Sequence, residues 1–165
     1  MSINRIFIVG HMGAGKSLLG KALADKLSWT HIDTNIGLER YIGRTLNEII
    51  GIQGAEAFYQ CQNEILKNYL GKENLVITTE DSFVLDDKNR KLLSSEYVIY
   101  LKISTSVQIE RMSGGPSPLL PVDLSLFLDK LHEQRDALYE EVATITIESK
   151  SVEDDVNTIV KEISK

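Results

Sequence analysis

Residues 10–17 read GHMGAGKS, and they constrain the fold more than any other stretch of this chain. They match G-x-x-x-x-G-K-[ST] in full, between the apolar run IFIV and a helical period, SLLGKALADKL. Strand, glycine-rich turn and helix in that order are what an anion cradle requires. Glycines let backbone N–H groups turn inward, and the helix N-terminus adds partial positive charge. Gly13, Ala14, Gly15, Lys16, Ser17 and Leu18 are therefore expected to bind a nucleoside triphosphate. Lys16 would reach the β- and γ-phosphates and the Ser17 hydroxyl would ligate Mg²⁺. ATP and Mg²⁺ are the expected cofactors.

The rest of the chain alternates short apolar runs with longer helical periods. RIFIVG (5–10), THID (30–33), LVITT (75–79), EYVIYL (96–101) and TITI (144–147) read as strands. Helical stretches are expected at 16–27, 34–50, 54–70, 87–94, 104–112, 122–142 and 152–164. Strands separated by helices imply right-handed crossovers and a parallel sheet covered on both faces. The expected fold is α/β: three layers of P-loop NTPase type, a five-stranded parallel sheet and a short lid. The lid expectation rests on SGGPSP (113–118), where glycines and prolines interrupt two helices. At 165 residues the chain reads as one domain, 1–165, with the lid at about 113–120.

Composition excludes several classes. A net charge of −6, with scattered basic residues, argues against a nucleic-acid partner. No apolar run approaches the ~20 residues of a membrane span. Strand character begins at Arg5, so no signal peptide is expected, and Cys61 stands alone, so neither is a disulfide framework. A cytoplasmic monomer is expected, whose partners are a nucleotide and a small-molecule acceptor.

Several polar residues outside the glycine-rich turn carry chemistry. Asp33 ends the second strand, where a carboxylate points into the ligand crevice of a parallel sheet; a catalytic and Mg²⁺-holding role is expected, an N-cap being the plainer alternative. Arg135 has no acidic neighbour at i±3 or i±4, which leaves it available to an anionic ligand, and Arg111, just before the lid, is similar. His11 reads as a spectator, and His31 and His132 have no companions at metal-ligand spacing. Glu80 and Asp81 end the third strand. They are solvated turn residues, or acids serving Mg²⁺ or the attacking nucleophile, or recognition groups for a cationic or polyhydroxylated acceptor.

GHMGAGKS, HIDTN, GAEAF, VITTEDSFVL, the PLL of PSPLL and RDALYEEVA occur in an order and spacing that resemble the shikimate kinase family over nearly the whole chain. The resemblance implies ATP and Mg²⁺ in the P-loop, a lid that closes over the acceptor, Arg111 near the adenine and Arg135 on the acceptor's carboxylate. The acceptor half departs from the family pattern. D-T-D after the second strand is here Asp33-Thr34-Asn35, and the Arg expected after Phe58 is Tyr59. R-P-L-L in the lid is Ser117-Pro118-Leu119-Leu120, and three glycines after the third strand are Glu80, Asp81 and Ser82. Asn35, Tyr59, Glu80, Asp81 and Arg135 are thus the candidate acceptor-binding residues. Two arginines and one aspartate lost and two acids gained leave this pocket about three charges more negative than the pattern. A carboxylate ligand ~5 Å from one such acid is disfavoured by ~3 kcal/mol at an effective dielectric of ~20. The expected activity is phosphoryl transfer from ATP to a small-molecule hydroxyl, with shikimate a poor acceptor. The alternatives are a non-catalytic ATP-binding module and an authentic shikimate kinase.

Overall fold

A computed structural model describes residues 2–34, 59–112 and 121–165. Its elements in chain order are β1 (Arg5–Val9), α1 (Lys16–Leu27), β2 (Thr30–Asp33), α2 (residues 59–69), β3 (Leu75–Thr78), a 3₁₀ turn (Phe83–Leu85), α3 (Asp87–Leu93), β4 (Tyr97–Lys102), α4 (Thr105–Met112), α5 (Pro121–Val142), β5 (Ile145–Glu148) and α6 (Val152–Ile163). The strands form one parallel sheet in the order β2-β3-β1-β4-β5. All five expected strands are present, with ends shifted by no more than one residue. The helix expected over 34–50 beyond its first residue, Thr34, the start of that at 54–70 and the lid at 113–120 lie outside the described residues, as do Asn35 and Ser117.

The period of two along each strand divides the core between the two sheet faces. Ile6 and Ile8 of β1, Val76 of β3 and Ile99 and Leu101 of β4 pack with α1 (Leu19, Leu23) and α6 (Val156, Ile159). Phe7 and Val9, Leu75 and Ile77, and Val98 and Tyr100 face the other way. They pack with Leu66 of α2, Phe83 and Val84 of the 3₁₀ turn, Leu93 of α3 and Tyr139 of α5. Strands apolar on both faces, each face covered by helices, are the three-layer arrangement of a parallel sheet. Helix starts follow their own local chemistry: Asp86 caps α3 by accepting from Asn89 N–H, and Ser151 caps α6 by accepting from Asp154 N–H.

β1 is central, flanked by β3 and β4, so successive connections diverge at its C-terminal end. Ligands of open α/β sheets bind in the crevice at such a point. Gly10 makes the exit from β1 possible: a Cβ there would lie 2.7 Å from the backbone carbonyl oxygen of Leu101 on β4.

Candidate active site

The loop after β1 turns into α1 through Gly15, in the left-handed region at φ 90° and without a side-chain cap. The first-turn N–H groups of α1 therefore have no intrahelical acceptor and remain available to an anion. Leu18 lies in that turn with 69% of its surface exposed, so what it offers a phosphate is its backbone N–H. Lys16 folds back over the loop, its Nζ donating to the carbonyls of Gly10 (2.8 Å) and His11 (2.9 Å). Burial lowers the pKa of its ammonium, opposed by the charges of Asp81, Glu80 and Asp33. The charges of three acids, one ending β2 and two just after β3, thus act on one lysine.

Ser17 Oγ donates to Asp33 Oδ2 at 2.9 Å, which joins the first turn of α1 to the end of β2. A hydroxyl and a carboxylate side by side are the hard oxygen donors that Mg²⁺ takes, and the pair fits that ion. Arg111, at the end of α4, donates to Ala14 O (2.8 Å) and to Ser149 Oγ (3.0 Å) after β5. It therefore ties the glycine-rich loop to the segment after β5.

On the other side, Arg135 of α5 donates from Nη1 to Asp81 Oδ2 at 3.0 Å, both side chains being mostly buried. Tyr139, one turn further along α5, donates its hydroxyl to Asp81 O at 2.6 Å. Arg135, expected to be available to an anionic ligand, has a partner 54 residues away in sequence, the Asp81 carboxylate. Its Nε is buried and has no partner among the described residues.

Glu80 and Asp81 are not freely solvated. Glu80 Oε2 accepts from Ser82 N–H (2.9 Å), from the Ser82 hydroxyl, and from Gln62 Nε2 of α2 (3.1 Å). Gln62 in turn accepts from Asn89 (3.4 Å), whose amide also donates to Phe83 O (3.1 Å), so a buried amide network fixes the turn after β3. Burial, a hydrogen bond to Asp81 and the Asp81 charge push the Glu80 carboxyl up to about 7, against the Ser82 donors. Burial alone would raise Asp81 as well. The hydrogen bond from Glu80 and the charges of Lys16 and Arg135 outweigh it and hold Asp81 below the usual carboxylate range. Near neutrality the two acids therefore carry less than two charges, and one is already neutralised by Arg135. Part of the negative charge that Glu80 and Asp81 add is thus compensated within the protein. Tyr59, on α2, faces the same region: burial raises its phenol pKa, Arg135 lowers it and Glu80 raises it.

Gln62 and Tyr139 were not singled out from the sequence. Tyr139 was legible, lying four residues after Arg135 on one helical face. Gln62 was not, because its contact with Glu80 spans 18 residues and two elements. His11 and His132 also differ from expectation, since the fold brings them together with Asp136.

A family model described as shikimate kinase matches residues 12–164. A curated shikimate kinase from Francisella tularensis subsp. holarctica is 36% identical over 163 residues, 96% of this chain and 92% of the relative. Among solved structures, the shikimate kinase from Acinetobacter baumannii in complex with shikimate superposes with a TM-score of 0.87 at 30% identity, covering 98% of this chain and 93% of that one. The shikimate kinase from Bacteroides thetaiotaomicron superposes with a TM-score of 0.91 over 98% and 99% of the two chains, at 23% identity, a likeness of fold.

Proposed function

The chain belongs to the shikimate kinase family, and from that premise we propose that it transfers the ATP γ-phosphoryl group to a hydroxyl of a small polyhydroxylated molecule other than shikimate. The Asp81–Arg135 ion pair carries the acceptor half of this reading. An anionic acceptor must displace a partly buried internal carboxylate from Arg135, and a neutral or cationic polyol need not.

The nucleotide half rests on the loop. Backbone N–H groups of Gly13 to Leu18 hold the phosphates, and Lys16 leaves the Gly10 and His11 carbonyls to pair with the transferred group. Ser17 and Asp33 would hold Mg²⁺, which when bound neutralises charge on the phosphates. Asn35 cannot accept a proton where the family pattern has an aspartate. Glu80, with a carboxyl pushed to about 7 beside the loop, has the basicity suited to orienting and deprotonating an acceptor hydroxyl at neutral pH. Arg111 flanks the nucleotide, and Tyr59 and Arg135 border the acceptor. The lid and Asn35 complete this reading as one kinase domain spanning 1–165.

One observation favours a second reading. Gln62, Ser82 and Arg135 satisfy Glu80 and Asp81 internally, which is what a filled acceptor pocket in a nucleotide-binding module would look like. A coupled ADP-release assay over polyols, amino sugars and shikimate separates the readings. Release that depends on a polyol or amino sugar supports the proposed kinase. Shikimate turnover at 10⁴–10⁸ M⁻¹s⁻¹, the range of working enzymes, refutes the acceptor assignment. Calorimetric Mg·ATP binding with no acceptor-dependent release across the set supports the module.

A further inference from the structure

A second constellation lies on the side of the glycine-rich loop turned away from the Ser17–Asp33 pair. His11, the second residue of that loop, is 1% exposed and points its side chain at α5. Its Nε2 meets Asp136 Oδ1 at 2.5 Å. His132, one helical turn before Asp136, brings Nδ1 to 3.0 Å from the same Oδ1 and 3.1 Å from Oδ2. The two imidazoles stack with centroids 3.8 Å apart. One nitrogen from each ring and a carboxylate oxygen lie within 4.8 Å of one another.

The hydrogen bonds around the cluster fix the tautomer of His132. Gln108, fully buried on α4, donates Nε2 to Met12 O at 2.7 Å, so its Oε1 is the atom facing His132 Nε2 at 3.0 Å. A carbonyl oxygen can only accept, so His132 Nε2 carries a proton. In the neutral ring Nδ1 is then a bare lone pair aimed at a carboxylate. His11 adds a second mismatch: its Nδ1 is buried and has no partner among the described residues. The His132 Nδ1 lone pair and the Asp136 carboxylate repel each other unless a cation lies between them, and His11 Nε2 meets the same carboxylate oxygen. An N–H held by a fixed acceptor, with the other nitrogen turned toward a common point, is also how ligating histidines are oriented.

We propose that His11 Nε2, His132 Nδ1 and the Asp136 carboxylate form a binding site for a divalent transition metal of the Zn²⁺ class. Two imidazoles and one carboxylate are a borderline donor set that suits Zn²⁺; Mg²⁺, which prefers oxygen, is poorly served. Small side-chain shifts bring the donors to the ~2.0–2.2 Å that zinc takes from nitrogen and oxygen. Three protein ligands leave a fourth position for water. Asp136, 38% exposed, opens that position to solvent through a cavity of about 360 Å³ that His132 and Asp136 help to line. An ion here ties the second residue of the loop to α5. The carbonyl of His11 also accepts from Lys16 Nζ, so the ion holds the loop segment on which that lysine rests.

The test is Zn²⁺ binding to the intact chain by calorimetry, with Mg²⁺ in millimolar excess to fill oxygen-only sites. One equivalent is expected to bind. His132→Gln and Asp136→Asn are each expected to weaken it at least ~100-fold, since loss of a mere supporting partner already costs ~10–100-fold. Equal affinity in both variants, or no saturable binding by wild type, overturns the site. If a variant does not fold, ¹⁵N-resolved imidazole spectra of wild type decide, because the chain has three histidines and His31 is an internal control. Stoichiometric Zn²⁺ is expected to shift His11 and His132 and leave His31, bonded to Thr78, unmoved. Unchanged His11 and His132 signals, including a His132 ring protonated at both nitrogens throughout, overturn the proposal.

Discussion

Asp81, just after β3, and Arg135 of α5 neutralise each other, Oδ2 to Nη1 at 3.0 Å, with the Asp81 backbone carbonyl fastened to Tyr139. The pair places an internal carboxylate where the family resemblance puts that of the acceptor. Asp81→Asn keeps the volume and a hydrogen-bond acceptor and removes the charge. Its shikimate KM is expected to fall at least about tenfold relative to wild type, which corresponds to ~1.4 kcal/mol. A cost in stability of about 1–3 kcal/mol accompanies it, because Arg135 loses its charged partner. Steady-state kinetics alongside urea unfolding measure both. An unchanged KM would show that the Asp81 charge does not oppose shikimate binding.

Ser17 and Asp33 share a hydrogen bond at 2.9 Å, and each is expected to matter only when Mg²⁺ is present. Ser17→Ala and Asp33→Asn should bind metal-free ADP about as well as wild type. Both should lose most of the gain that Mg²⁺ confers, by about tenfold or more. Calorimetry with and without Mg²⁺ gives the difference directly. Equal losses in the two conditions would assign the pair a structural role, joining α1 to the end of β2, rather than a metal-binding one.

Gly10→Ala tests the exit from β1. The added Cβ would meet the Leu101 carbonyl oxygen at 2.7 Å, and that oxygen belongs to a central strand that cannot withdraw. Overpacking of this kind costs ~1–3 kcal/mol, with backbone strain in addition. A lower midpoint of denaturant unfolding is expected, together with weaker nucleotide binding, since the loop must move. A variant as stable as wild type would show that β1 and β4 can part at this point.

How much of this was legible follows the reach of each interaction. The glycine-rich turn, its flanking strand and helix, and the alternation of Ile6, Phe7, Ile8 and Val9 between two sheet faces are local patterns, and sequence resolves local patterns. Ser17 with Asp33 was also legible, because strand ends of a parallel sheet converge on one edge. The partner of Arg135 was not. A search for acidic residues at i±3 and i±4 sees only its own helix, whereas Asp81 arrives from the end of β3. Nor were the companions of His11, which lie 121 and 125 residues away and meet it only because α5 crosses the loop. The raised Glu80 carboxyl depends chiefly on burial, which the string TTEDS does not reveal.

Glu80 makes the stability of the fold depend on pH in a direction opposite to that of an ordinary salt-bridged acid. Its carboxyl is pushed from 4.5 to about 7 in the folded chain, so between those values the folded state holds a proton that the unfolded state has released. Stability from this group is full below about 4.5 and is lost as the pH rises through 7. A shift of that size sets a ceiling of about 3 kcal/mol. Its hydrogen-bonded partner Asp81 is shifted the other way, but that effect falls below its ordinary value of 3.8, outside the window. His11, lowered from 6.5 chiefly by burial, contributes the opposite slope within the window, so the wild-type curve alone does not isolate Glu80. The difference between wild type and Glu80→Gln does. Gln remains neutral at every pH and can still accept from Ser82 and Gln62. The advantage of wild type over Glu80→Gln is therefore expected to shrink as the pH goes from 5 to 8, by between ~1 and 3 kcal/mol. Urea unfolding of both proteins at closely spaced pH values measures it, and a constant difference would show that Glu80 ionises normally in the folded chain. The same titration governs the proposed proton transfer. If Glu80 deprotonates the acceptor hydroxyl, kcat/KM rises through a pKa near 7 in wild type, and Glu80→Gln removes that rise together with most of the activity.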